Sequence, residues 1–347
     1  MSEILFLVGF LVLISLFLAM DLGIFNKNSH QISVKESLIF TGVWIGLALL
    51  FFIGLRFFGH LIHGIDNQAV LETINAQNKH GLTFPAQNTF LENLQLYRNQ
   101  LSLEFLTGYT IEYALSIDNI FVILMIFISF GVDTKYYHRV LFWGIIGAVV
   151  MRFVFIFTIS ALIHQFEWIL LIFGALLIYS AIKMFISRNA KEDNDVKNNK
   201  IVKFVSKHFS VTPDYEGNKF IVKKDGKWFL TPLLLVLIVI ELSDVIFAVD
   251  SVPAIFSVTH DSYMVFFSNI FAIIGLRSLF FLLSSIVNMF RFLKIGLSVL
   301  LAFVGVKMFL EILFHIDIPT LFSLLIIVGI LAVCILLSLI IPKKKEN

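Results

Sequence analysis

Apolar residues fall in nine long runs, at 4–25, 38–58, 105–130, 140–162, 168–186, 230–258, 263–289, 292–314 and 319–341. An α-helix needs about 20 apolar residues to cross a bilayer core, so each run predicts a transmembrane helix. The first run has no basic segment ahead of it and continues into Asp21 and a polar loop without a small-residue cleavage site. It reads as a retained helix, not a signal peptide. Two polar stretches interrupt the pattern. The one at 61–103 is of mixed polarity, with an amphipathic segment around 90–101, and its role is not legible. The other, 187–229, opens with a charged run at 191–200 that reads as a linker. It then places Phe220, Val222, Trp228 and Leu230 around Lys224-Asp225-Gly226-Lys227, the pattern of a small β-hairpin on an Asp-Gly turn.

Rare charges inside the runs repeat. Ser116-Ile117-Asp118-Asn119-Ile120-Phe121, Arg152 and Ile182-Lys183-Met184-Phe185 in one half resemble Ser243-Asp244-Val245-Ile246-Phe247, Arg277 and Val306-Lys307-Met308-Phe309 in the other. Asp118 to Arg152 spans 34 residues and Asp244 to Arg277 spans 33; Arg152 to Lys183 spans 31 and Arg277 to Lys307 spans 30. Each block holds three helices, an odd number, so the second block must be inverted relative to the first. That is the plan of secondary transporters, with a binding site near the midplane between the halves. The expected fold is therefore all-α: a polytopic membrane protein of about nine transmembrane helices with a 3+3 inverted-repeat core. Its divisions are helices 1 and 2 (1–60), an extracytoplasmic loop (61–103), the first repeat (104–186), a cytoplasmic loop with the hairpin (187–229), the inverted repeat (230–314), and a last helix with a basic tail (315–347).

Composition agrees: 59% of residues are hydrophobic and 14% charged, against about 25% charged in an average soluble domain. A disordered chain, a nucleic-acid-binding surface and an ordinary soluble enzyme are excluded. The single cysteine, Cys334, excludes a disulfide framework, a zinc finger and an iron–sulfur cluster. The net charge of +2 conceals a strong asymmetry. With the N-terminus outside, the inner loops and tail hold 19 Lys and Arg residues, and the outer loops hold only Lys79 and Arg98. The positive-inside rule then gives an outer N-terminus and a cytoplasmic C-terminus.

Five acids fall within the third and sixth runs: Glu112, Asp118, Glu241, Asp244 and Asp250. A charge at the bilayer centre costs about 2.5–3.5 kcal/mol on insertion scales, so an intramembrane acid points to function. Glu112 and Asp118, like Asp244 and Asp250, are six residues apart, about 240° around a helix and so on different faces. Either the helix packs on both sides or it is broken, and Pro253 favours a break that frees the carbonyl of Val249. Asn119, Ser116, Ser243, Ser251 and Asn269 add neutral oxygens at similar depth. Carboxylate, amide, hydroxyl and carbonyl oxygens suit hard cations such as Mn²⁺, Mg²⁺ or Ca²⁺. Arg152, Arg277, Lys183 and Lys307 read chiefly as structural counter-ions of the acids, and Lys183 lies near enough to the inner end to snorkel. Asp21 and Glu311 sit near helix ends, and His138, His164 and His315 at loop edges without ligand spacing.

Longer motifs carry a family resemblance. They are Ala19-Met20-Asp21-Leu22-Gly23-Ile24-Phe25 with His30 and Glu36, Glu104-Phe105-Leu106-Thr107-Gly108-Tyr109, and Tyr137-His138-Arg139-Val140-Leu141-Phe142-Trp143-Gly144. The longest is the sixteen-residue run Glu241-Leu242-Ser243-Asp244-Val245-Ile246-Phe247-Ala248-Val249-Asp250-Ser251-Val252-Pro253-Ala254-Ile255-Phe256, followed by Ser268-Asn269-Ile270-Phe271 and Gly275-Leu276-Arg277. Together they resemble the TerC/Alx family over most of the chain. The resemblance implies a bacterial inner-membrane protein of metal homeostasis, in a family named for tellurite resistance and associated with manganese export. It implies that Glu112, Asp118 and Asn119 form one acidic motif and Glu241, Asp244 and Asp250 the other. The long 61–103 loop and Tyr113, where the family usually has lysine, depart from its pattern.

The expectation is alternating access around a midplane oxygen site, exporting a divalent ion, with Mn²⁺ chosen by the resemblance, in exchange for protons. The expected partners are that ion, protons and membrane lipids; neither a resident cofactor nor nucleic acid is expected. Two other readings compete. An intramembrane two-aspartate enzyme would use the acids for proton transfer, but no Gly-x-Gly-Asp, His-Glu-x-x-His or Gly-x-Ser-x-Gly signature is present. A membrane scaffold of a stress-response complex would depend on the 187–229 segment instead of the carboxylates.

Overall fold

The computed structural model describes residues 3–25, 34–78, 80–165, 168–187, 211–212, 215–224, 226–286, 292–316 and 318–341. The charged run 191–200, the tail lysines Lys343, Lys344 and Lys345, Lys27, His30 and Arg291 lie outside the described residues. The helices are α1 (Glu3–Phe25), α2 (Val34–Phe58), α3 (Gln68–Gln77), α4 (Phe90–Ser129), α5 (Thr134–Gln165), α6 (Ile169–Ser187), α7 (Pro232–Phe256), α8 (Ser262–Ile286), α9 (Leu293–Phe314) and α10 (Thr320–Ile340). Strands β1 (Ile221–Lys224) and β2 (Lys227–Leu230) form an antiparallel hairpin between α6 and α7, with Gly226 at φ 76° in its two-residue turn.

All nine apolar runs lie on helices, and α3 is an additional short one. Among the described residues, five segments are long and apolar enough to cross a membrane: 35–61, 134–162, 232–256, 262–282 and 321–338. The chain is an all-α polytopic membrane protein. Its surface is apolar where a soluble protein's would be polar: Val8, Val12 and Leu16 on α1, Leu50 and Ile53 on α2, and Leu321, Phe322 and Leu325 on α10 all face outward. Such a surface is stable against lipid tails and unstable against water.

Helix α8 is the centre of the bundle. Every residue from 264 to 280 is buried, with α2, α4 and α5 packed around it. Phe6 and Phe10 of α1 pack their rings on Phe267. Exchanging α4 with α7, α5 with α8 and α6 with α9 maps the observed packings onto one another. The α4–α8 contact becomes α5–α7, and α4–α7, α5–α8 and α6–α9 map onto themselves. Along α5 and α8 the contacts run in opposite directions, from Ser160 with Ser262 through Arg152 with Asn269 to His138 with Arg277. This antiparallel self-pairing is what inversion of one block requires. At the α6–α9 crossing the backbones meet at Gly174 and Gly305, where a Cβ on Gly305 would stand 2.9 Å from the Gly174 carbonyl oxygen.

Two local features differ from the sequence pattern. Helix α4 begins about fifteen residues before its apolar run. Thr89 and Glu92 form a capping box there: the Thr89 amide donates to Glu92 Oε2 at 2.7 Å and the Glu92 amide to Thr89 Oγ1 at 3.4 Å. The break expected at Pro253 is absent, and α7 is one continuous helix through it. Pro253 lies in the last turn, so little helix remains beyond it to be redirected, and the ring removes one hydrogen bond without bending the segment that carries the acids. Packing on two sides resolves the 240° problem instead, because α7 touches both α5 and α6.

Candidate intramembrane charge cluster

Arg152 is the residue around which the site is built. Its side chain, projected from α5, has 0% exposure. The Nη1 group donates to Glu112 Oε1 of α4 and to Asn269 Oδ1 of α8. On the other side Nε and Nη2 grip the Asp244 carboxylate of α7 at 3.3 and 3.1 Å. Four helices therefore converge on one guanidinium, whose planar fork suits bidentate pairing with a carboxylate. Ser116, one turn after Glu112, donates to the same Glu112 Oε1 at 3.3 Å.

Glu241 stands one turn before Asp244 on α7. Its carboxyl group lies directly against Gly147 of α5, where a Cβ would collide with it. The absent side chain at Gly147 makes room for the carboxylate. A cavity of about 40 Å³, lined in part by Ala148, Glu241, Asp244, Ile273 and Arg277, opens beside the cluster. Among the described residues, Glu241 Oε2, Glu112 Oε2 and the Asn119 amide nitrogen are buried without a hydrogen-bond partner. Unsatisfied buried groups of this kind are costly, and those that persist call for an explanation.

The remaining candidates are dispersed. Asp250 turns to α6, where the Ser180 hydroxyl donates to it at 3.1 Å. Ser243 Oγ bonds back to the Val239 carbonyl, and Ser251 is buried. Lys307 donates to the Ser257 carbonyl at 2.6 Å, Lys183 is exposed, and Arg277 meets His138. The side chains of Asp118, Asp21, Glu311 and His164 lie outside the described residues. Among the described residues, no group of three or more His, Cys, Asp or Glu is arranged to hold a metal ion.

A second buried network was not legible in the sequence. It lies where α4 and α8 meet nearer their N-terminal ends. His80, from the segment after α3, donates through Nδ1 to Glu104 at 2.9 Å, and Gln100 and Thr259 donate to the same carboxylate. His63 bridges Glu3 (2.7 Å) and Asp261 (2.8 Å), and Asp261 also caps α8 by accepting from the Tyr263 amide at 2.9 Å. Burial alone would lower the pKa of His63, but the Asp261 and Glu3 carboxylates outweigh it and raise it to about 10. His80 is likewise raised against burial, chiefly by Glu104, and Asp261 is held low against burial by His63. The signal for this network was sparse: two histidines in a polar stretch, and acids outside the apolar runs.

The chain matches the family model described as integral membrane protein TerC family over residues 97–346. An uncharacterised membrane protein of Myxococcus xanthus is 38% identical over 332 residues, covering 96% of this chain and 91% of that one. In Escherichia coli strain K12, a protein with the provisional name membrane-bound redox modulator Alx is 38% identical over 331 residues, 95% of this chain and 92% of its own length. A membrane protein of Rickettsia felis is also 38% identical over 331 residues, 95% of this chain and 96% of its own. No solved structure matches the chain.

Proposed function

The chain belongs to the TerC family of integral membrane proteins, and from that premise we propose that it exports a divalent cation, Mn²⁺ in the first instance, by alternating access at the Arg152 cluster. The observation that carries this reading is the convergence of α4, α5, α7 and α8 on two carboxylates and an amide oxygen within a largely apolar helix bundle. Such charges are expensive at membrane depth and are retained for ion paths. The packing that maps one three-helix block onto the other supports the mechanism, because equivalent halves can exchange roles and open the site alternately to each side. On this reading the N-terminus lies outside, the basic loops face the cytosol, and the protein resides in the inner membrane. Protons exchange for the metal on the freed carboxylates. Glu241 and Asp118 belong to the ion path, and Asp250 to its far side at α6.

The relatives' redox name finds no dithiol in this chain, whose one cysteine, Cys334, is buried on α10. The test is flux in vesicles containing the purified protein, comparing Mn²⁺, Ca²⁺, Mg²⁺ and Zn²⁺ with and without a pH gradient. Export of Mn²⁺ that is lost in Asp244→Asn supports the reading. Vesicles that move none of the four ions overturn it.

A further inference from the structure

We infer that Arg152 is a tethered surrogate cation: it occupies the ion's place in the acidic site and must leave before a divalent ion can bind. This rests on the exporter reading and adds to it a competitor built into the chain.

The guanidinium claims one oxygen of Glu112, one of Asn269 and both of Asp244, which is a ligand set that a hard cation would take from the same three helices. Charge accounting gives the same answer. Glu112 and Asp244 together carry −2, Arg152 neutralises half of that, and a divalent ion alone would neutralise all of it. Ion and guanidinium held together by these two acids alone would leave an excess positive charge there in a low-dielectric interior. Occupancy by one therefore disfavours the other.

The displaced group has somewhere to go. Ala148 lies one turn before Arg152 on the same face of α5 and lines the adjoining cavity, which also reaches Glu241. The buried Oε2 of Glu241 has no hydrogen-bond donor among the described residues in this state. A long, flexible arginine that swings by one turn toward Glu241 would satisfy that oxygen while it vacates Glu112 and Asp244. Once the ion is bound, Glu112 and Asp244 are paired with it and Arg152 with Glu241, so the displaced guanidinium is not left as a bare buried charge, which would be strongly destabilising. A purely structural ion pair would need neither the adjoining cavity nor an unsatisfied carboxylate facing it.

The experiment measures Mn²⁺ binding to the purified full-length protein by calorimetry, and Mn²⁺ export in vesicles, for wild type, Arg152→Gln and Arg152→Lys. Removing the competitor should tighten Mn²⁺ binding in Arg152→Gln by about tenfold or more, the equivalent of roughly 1.4 kcal/mol, while export slows. Lysine lacks the fork that grips Asp244, so Arg152→Lys should bind Mn²⁺ more tightly than wild type but less tightly than Arg152→Gln. Two buried acids without a cation can impair folding, so the thermal midpoint is read with and without Mn²⁺. The metal should raise it more in Arg152→Gln, and in Arg152→Lys, than in wild type. Export by wild type, combined with variants that bind Mn²⁺ no more tightly and gain no extra stabilisation from it, overturns the surrogate role and leaves the exporter reading intact. A wild-type protein that moves none of the four ions overturns both.

Discussion

Helices α4 and α8 meet twice through polar side chains, and the two meetings are built differently. On α4 the acids Glu104 and Glu112 are eight residues apart, as are Asp261 and Asn269 at the start and within α8. These form two rungs about 12 Å apart along one helix pair. The first rung is held by histidines, His63 and His80, and every carboxylate in it has several donors. The second is held by one arginine and leaves carboxylate oxygens unsatisfied. Among the described residues the first rung leaves only His80 Nε2 and the Tyr97 hydroxyl without a partner, so its carboxylates are fixed by their donors, whereas those of the second rung can change partners. The contrast gives the first rung an architectural part and, on the exporter proposal, leaves ion handling to the second.

The largest effect should come from breaking the second rung. Asp244→Asn removes the acid that Arg152 grips with two nitrogens, and breaking a buried pair from one side costs about 3–5 kcal/mol. Mn²⁺ flux should fall to background, and a variant that still exports Mn²⁺ at the wild-type rate would refute the contrast. Glu104→Ala in the first rung strands His80, Thr259 and Gln100, at about 1–3 kcal/mol for a buried group left unpaired. The thermal midpoint should drop while flux per folded molecule stays within a few-fold of wild type. Abolished flux in a folded Glu104→Ala protein would make the two rungs one functional unit.

Gly147→Ala sharpens the comparison on the α5 side. The added methyl would take the place of the Glu241 carboxylate and push aside the far end of that flexible side chain, so it moves the acid more than it strains the core. Flux should fall several-fold although no charge has changed. A subtler separation comes from pH. His63 has its pKa raised to about 10, so its protonated form contributes stability in full below the ordinary histidine value near 6.5. That contribution is lost as pH rises through about 10, and the Asp261 contribution is lost as pH falls toward and below the usual carboxylate range. Arg152 stays charged throughout. Thermal midpoints from pH 6 to 10.5 should therefore decline at the alkaline end, and His63→Gln should flatten that decline. The smallest effect belongs to Ser180→Ala, which removes one partly buried hydrogen bond to Asp250. It should cost under about 1.5 kcal/mol and leave Mn²⁺ flux close to wild type.

Much of this architecture is legible in residue order because bilayers impose a strict rule on helix length and polarity. The nine runs lie on helices, and the matched spacing of Arg152 and Arg277 pointed to paired blocks that pack with the symmetry expected of inversion. What spacing could not give is the partner of each charge. Asp244 and Asp250 share a helix, yet one faces Arg152 and the other Ser180, because two different helices flank α7. Pro253 misled for a related reason: its effect depends on how much helix follows it, and the end of α7 is set by packing. His63 and His80 escaped notice because their acids come from α1, α4 and the start of α8. Only the folded chain brings these together.

At 40 residues, α4 is about 60 Å long, roughly twice the thickness of a bilayer's hydrocarbon core. It carries both rungs on one uninterrupted shaft. At Gly108 its backbone passes so close to Ser268 and Ile255 that a Cβ would stand 2.9 Å from each, and this contact lies midway between the rungs. A stiff rod with a close bearing between two loads behaves as a lever. A tilt of a few degrees at Gly108 shifts Glu104 one way and Glu112 the other. Movement at the histidine rung is thereby felt at the arginine rung without any relay of side chains.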